Sequence, residues 1–289
     1  MTRGPAFLIS ESETRDARDR RRERTGRSSG EAFSDLLQEM VPDADCELVQ
    51  SVETGPESQP RRNLSDYDAV FLSGSPMHVH QVTPPVQRQL DFMRATFASG
   101  TPSFGSCAGL QVAVAAAGGS VRENKRGHEV AFGRRILRTE AGRRHPLLAD
   151  RPDVYDALSI HSDEVEALPP DAELLATNRV TTVQAAEIRY DGGIFWGVQY
   201  HPELPIEDIA DAIRRQSADI IEQGLAESEA DVETYAKAID ALSRAPERRD
   251  LAWRLALDEQ VTDAKLRRTE LRNFYQQLVE PTRHRRGRV

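Results

Sequence analysis

Gly105-Ser106-Cys107-Ala108-Gly109-Leu110-Gln111 follows a brief apolar run at 102–104 and precedes an Ala-rich stretch that Gly118-Gly119 brings to an end. Strand, Gly-x-Cys-x-Gly, helix is the cysteine form of a nucleophile elbow. Small residues on both sides let the chain turn sharply, because a larger side chain at Gly105 or Gly109 would strike neighbouring backbone. Cys107 then stands at the first turn of a helix, whose partial positive charge favours thiolate over thiol. The backbone N–H of Ala108 is placed to receive an oxyanion. By itself this short glycine pattern is a weak signal, because such patterns recur by chance.

A second constellation strengthens it. Gly197-Val198-Gln199-Tyr200-His201-Pro202-Glu203 closes an apolar run at 194–199, and open α/β sheets place catalytic groups at strand ends. A thiolate nucleophile needs a base, and the base needs an orienting acceptor. His201 and Glu203, separated by one proline, suit those roles. A lone His-Pro-Glu triplet reads more simply as a turn; with the elbow, the order Cys, His, Glu has chemical sense.

Outward from these motifs the chain alternates. Strands are expected at 6–9, 46–52, 68–73, 129–137, 155–160, 174–177, 183–189 and 194–199, with helices near 33–40, 84–97 and from 206. This predicts an α/β fold with an open, mostly parallel, flavodoxin-like sheet flanked by helices. The main domain is expected over residues 1–224 and a C-terminal helical extension of two or three helices over 225–289. Residues 10–30, crowded with Arg, Asp, Glu and Ser, are expected to form a mobile loop.

Composition narrows the function. With 38% hydrophobic residues, 29% charged and a formal net charge of −9 over 289 residues, nucleic acid is not the expected partner, since phosphate neutralisation needs a basic surface. No run approaches a membrane span, and no signal-peptide pattern opens the chain. The two cysteines, Cys46 and Cys107, give no reason for a disulfide, and a reducing, cytoplasmic setting is expected. Cys46 alternates with Leu48 and reads as a structural thiol.

These motifs resemble the class I, triad-type glutamine amidotransferases, the family that includes the glutaminase domain of GMP synthase. The resemblance runs from about residue 6 to 224. The Gly105–Gln111 and Gly197–Glu203 segments match the family's nucleophile and closing motifs. Ser159-Ile160-His161-Ser162-Asp163-Glu164-Val165 is similar to its His-containing segment, and Gly118-Gly119 with Glu129 and Gly133 to its stretch after the nucleophile helix. The resemblance implies Cys107, His201 and Glu203 as catalytic triad and Ala108, Gly74 and Ser75 as backbone oxyanion donors. It implies Gln111, Ile160, His161 and Ser162 as substrate contacts. One departure stands out: the family's oxyanion strand usually ends in Gly-Gly-Pro, whereas here Ser75 fills the second position of Gly74-Ser75-Pro76.

The implied half-reaction hydrolyses the glutamine side-chain amide through a cysteine thioester and requires no metal or organic cofactor. Three functions follow. The first is a glutaminase that hands ammonia to a separate synthetase subunit, since 225–289 contains no phosphate-cradling glycine loop. The second is a free-standing γ-glutamyl hydrolase or peptidase with water as acceptor. The third is a non-catalytic docking protein, against which the complete triad argues. His78 and His80 suggest a metal pair only weakly, because no carboxylate or cysteine accompanies them in sequence. His161 reads as a hydrogen-bonded structural histidine, and Gln184 either as a strand residue or as one facing the acceptor side. Trp253, Phe274 and Tyr275 are the candidate anchors for a homo-oligomer or a synthetase contact, and the basic tail 284–288 is expected to be solvated.

Overall fold

The computed structural model describes residues 4–288. Its strands are β1 Ala6–Ser10, β2 Asp45–Val49, β3 Ala69–Leu72, β4 Ser103–Ser106, β5 Ser120–Glu123, β6 Phe132–Arg138, β7 Val154–Leu158, β8 Asp163–Ala167, β9 Ala172–Thr177, β10 Ala185–Tyr190 and β11 Gly193–Val198. Nine of them form one sheet in the order β2-β1-β3-β4-β11-β10-β9-β6-β7, and β5 pairs with β8 in a separate ribbon. From β2 to β11 neighbouring strands run parallel. From β11 to β7 they run antiparallel; between β10 and β11 the tight turn Asp191-Gly192 returns the chain directly. The α/β class and open sheet are those expected, and the site lies on the parallel half.

The fully buried strands β1, β3 and β4 need cover on both faces. Helices α1 Arg15–Thr25, α2 Ser29–Met40, α3 Pro84–Ala98, α4 Ala108–Ala116, α5 Glu140–Arg144, α6 Ile206–Arg215 and α7 Ser217–Glu222 precede the C-terminal segment, which opens with α8 Glu229–Arg244. Phe33 and Leu37 of α2 join Phe7, Phe71 and Phe104 on one face of the sheet. Val86, Leu90 and Met93 of α3 join Leu8, Val70 and Leu110 on the other.

The expected loop at 10–30 is corrected. Ser10, Glu11 and Ser12 are buried, and 15–25 is a helix closed by Gly26 in the left-handed conformation. Polar contacts, rather than an apolar face, dock α1. Arg21 pairs with Asp208 at 2.6 Å and Arg24 with Asp211 at 3.4 Å, both carboxylates belonging to α6. The next helix begins with a capping box in which Ser28 and Glu31 exchange side-chain and backbone bonds.

The C-terminal segment has more helices than the two or three expected. After α8 come Arg249–Arg254, Glu259–Thr262, Ala264–Arg267, Thr269–Phe274, a wider π-helical turn Tyr275–Val279, and Glu280–Arg285. Val232, Ala236 and Ile239 of α8 pack on Ile206, Ile209 and Ile213. Leu271, Phe274 and Val279 enter the cluster of Phe7, Phe71 and Trp196. Of the three anchors proposed, Phe274 is fully buried and Tyr275 packs edge-on against Phe7; Trp253 alone faces solvent, 76% exposed. The basic tail also differs from expectation. Arg286 donates to the Gly100 carbonyl at 2.9 Å, and Arg288 donates to the Ser65 carbonyl at 2.7 Å and pairs with Asp68 at 3.2 Å. Among the described residues no helix is long and apolar enough to cross a membrane.

Candidate active site

Cys107 sits between β4 and α4 with φ 52° and ψ −112°, a left-handed conformation that a non-glycine residue adopts at a cost of order 1–3 kcal/mol. Its N–H donates to Val198 O at 2.9 Å, tying the elbow to the strand that leads to His201. The flanking glycines are sterically required. A Cβ on Gly105 would lie 2.9 Å from the Gly109 backbone, and one on Gly109 would lie 2.8 Å from Leu72 O.

His201 and Glu203 follow β11, the parallel neighbour of β4. His201 Nδ1 donates to Glu203 Oε1 at 2.7 Å, and its ring lines one cavity together with Cys107. Both His201 and Glu203 side chains are more than nine-tenths buried. Burial opposes charge on the imidazole, but the Glu203 carboxylate and Cys107 outweigh it and push the His201 pKa up to about 10. A residue that sequence reasoning missed completes the clamp: the Ser106 hydroxyl donates to the same Glu203 Oε1 at 2.8 Å. Lying next to Cys107 at the end of a strand, Ser106 points the opposite way from its neighbours, which was a usable signal.

Gly74 and Ser75 follow β3 and line the same cavity as Cys107 and His201. Ser75 Oγ accepts from the Met77 N–H at 2.9 Å, which fixes the turn in which serine replaces the usual glycine.

Two cavities meet at Cys107, Ser75, Pro76 and Ile160. One, about 690 Å³, contains Gln111, His161, Ser162 and Asp163 together with His78 and His80. The other, about 340 Å³, lies on the His201 and Glu203 side and is walled by Arg20, Arg21 and Arg24 of α1 and by Arg215. Gln111 donates to Asp163 O at 3.1 Å and to Gln199 Oε1 at 3.2 Å, so its amide is held in place by the start of β8 and by the residue that follows β11.

His161 is the hydrogen-bonded histidine expected. Its Nδ1 meets Asp163 O at 2.9 Å and its Nε2 meets Glu129 Oε2 at 3.0 Å. Glu129 also accepts from Ser159 at 3.1 Å and from Gln184 at 2.7 Å. Burial disfavours its charge, but His161, Asn178 and Gln184 together hold its pKa below the ordinary carboxylate value. Gln184 is thereby a buried member of this network. Cys46 is half-buried on β2, far in sequence from any of these groups, and burial pushes its thiol up to about 11.

A thiol, a clamped imidazole and two cavities meeting at the sulfur suit acyl transfer, and the comparisons with known proteins agree with that chemistry. Residues 30–217 match the family model for "Glutamine amidotransferase class-I". The chain belongs to the class I glutamine amidotransferase family. It is 33% identical to a γ-glutamyl-L-1-hydroxyisopropylamide hydrolase of Pseudomonas sp, over 97% of this chain and 95% of that protein. It is 37% identical to the glutamine-hydrolysing GMP synthase of Mycobacterium marinum, but over 47% of this chain and only 23% of that one. A glutamine amidotransferase structure from Thermotoga maritima superposes with a TM-score of 0.65 at 16% identity, covering 97% of this chain and all of the other, and so shares the fold.

Proposed function

We propose that this protein is a cysteine-dependent hydrolase of γ-glutamyl amides, acting on an amide whose amine part is larger than ammonia. The observation that carries the reading is the Cys107–His201–Glu203 arrangement: a thiol at a strained elbow, sharing a cavity with an imidazole that a carboxylate holds at 2.7 Å.

In this reading the substrate's amino-acid head occupies the larger cavity. The Asp163 carboxylate suits an α-ammonium group there, and the 160–162 backbone suits the α-carboxylate. The Cys107 sulfur attacks the side-chain amide carbon as a thiolate. The oxyanion is received by the N–H of Ala108 and by the Gly74–Ser75 backbone. His201 gives its proton to the departing amine, leaving a γ-glutamyl thioester that water hydrolyses to glutamate. Glu203, shared with Ser106, positions the ring throughout.

Two observations favour an organic amine as leaving group. The cavity on the His201 side, about 340 Å³, is about ten times the roughly 30 Å³ a water-sized molecule occupies. The likeness to the γ-glutamyl amide hydrolase also extends over nearly the whole of both chains, C-terminal helices included. The second reading is a glutaminase that delivers ammonia to a separate synthetase. It is supported by the partial match to GMP synthase.

Comparing kcat/KM for L-glutamine, γ-glutamyl alkylamides and γ-glutamyl dipeptides tests the proposal. The alkylamide or dipeptide should be preferred over glutamine. Hydrolysis of glutamine alone would overturn it in favour of the synthetase-coupled reading.

A further inference from the structure

His78 and His80 have no carboxylate near them in sequence, yet the fold supplies one from 83 residues away. Strand β8 begins at Asp163, and its carboxylate meets both imidazoles. His78 Nδ1 lies 3.0 Å and His80 Nδ1 3.1 Å from Asp163 Oδ2. One ligand atom from each of the three residues lies within 4.8 Å of the other two. We propose that His78, His80 and Asp163 form a binding site for one divalent transition-metal ion of the zinc type, at the mouth of the catalytic cavity.

Several observations bear on this. Two imidazoles and a carboxylate are a ligand set that zinc-like ions prefer. Ligands about 2.0–2.1 Å from a tetrahedral ion stand roughly 3.3 Å from one another, close to the spacing already present between Asp163 and each ring. The residue is anchored through its main chain, where the Asp163 carbonyl accepts from Gln111 and from His161, and its carboxylate, 5% exposed, also accepts from the Ser162 hydroxyl at 3.2 Å. The rings are 47% and 27% exposed, which leaves a fourth position open to the cavity. The cavity wall also includes Glu123, Asp219 and Glu222 and no Lys or Arg, so its field attracts cations.

Cys107 and Gln111 line the same cavity. Resting on the functional reading above, an ion held by Asp163 takes the carboxylate that the substrate's α-ammonium group would use. The metal therefore inhibits competitively.

Two measurements separate binding from inhibition. In the first, Zn²⁺ is titrated calorimetrically into the full-length Cys107→Ala protein, which removes the catalytic thiol as a ligand. One ion per chain is expected, and His78→Ala or His80→Gln in that background should weaken binding by about tenfold or more. Absence of binding to Cys107→Ala, or equal binding after both histidines are replaced, overturns the site. Circular dichroism spectra matching the parent's establish that each variant is folded. In the second, hydrolysis by the otherwise native enzyme is followed against Zn²⁺. The His78→Ala/His80→Gln variant should need at least about tenfold more metal for half-inhibition. Unchanged sensitivity overturns the competition while leaving the first result standing. Failure of the enzyme to hydrolyse any γ-glutamyl amide sinks the functional reading but not the calorimetric site.

Discussion

Gly74 lies so close to His201 that a Cβ at that position would come within 2.9 Å of the ring's Cε1. The turn after β3, the proposed oxyanion donor, and the His201 ring after β11, the proposed base, are therefore closely packed, and each limits where the other can stand. Gly74→Ala should push the imidazole off the sulfur. A displacement of about 1 Å can cost on the order of 10²-fold in rate, so kcat should fall by about that much while the melting temperature changes little. Steady-state kinetics with a thermal melt checks both halves.

Cys107→Ala should abolish γ-glutamyl hydrolysis and leave the fold intact, since the side chain is the proposed nucleophile but carries little packing volume. Retention of full activity would eliminate the proposed mechanism. Mass spectrometry of the native enzyme quenched during turnover should show a γ-glutamyl adduct that the variant lacks.

The His201 pKa of about 10 against an ordinary 6.5 fixes a sign. A raised pKa means that the ion pair with Glu203 stabilises the fold fully below about pH 6.5 and is lost as pH rises through about 10. Activity should therefore keep its imidazolium up to an alkaline limb near pH 10. Glu203→Gln removes the largest group favouring the charge, so the limb should move to lower pH and kcat should drop. A pH–rate profile of both proteins would expose an unmoved limb.

Arg151 and Glu270 are joined by two bonds, at 2.7 and 2.8 Å, with both side chains essentially inaccessible. Tyr200, the residue before His201, donates to the same carboxylate at 2.8 Å. Arg151→Met should strand a buried charge and destabilise the protein by about 3–5 kcal/mol, whereas replacing both partners with apolar residues should cost much less. Urea unfolding of the single and double variants measures the difference.

Shortening the chain through α1 should now be costly, although composition alone argued for a dispensable loop. Arg21→Ala removes the 2.6 Å contact to Asp208, whose two side chains are each 15% exposed. A loss of about 1 kcal/mol or somewhat more is expected, above that of a fully exposed pair. An unchanged melting temperature would show that α1 is held by something else.

The sequence by itself determined the elbow, the strand ends that bear Cys107 and His201, and the α/β class. Each of these rests on local sterics or short periodicity: glycines where backbone crowds backbone, proline beside the base, alternating apolar residues in strands. Tertiary structure decided what sequence separation conceals. Asp163 joins His78 and His80, Glu270 reaches Tyr200, Phe274 enters the main core, and α1 becomes a helix through carboxylates about 187 residues distant. Such contacts carry no local signature, because the energy that fixes them is gained only when remote segments fold against one another.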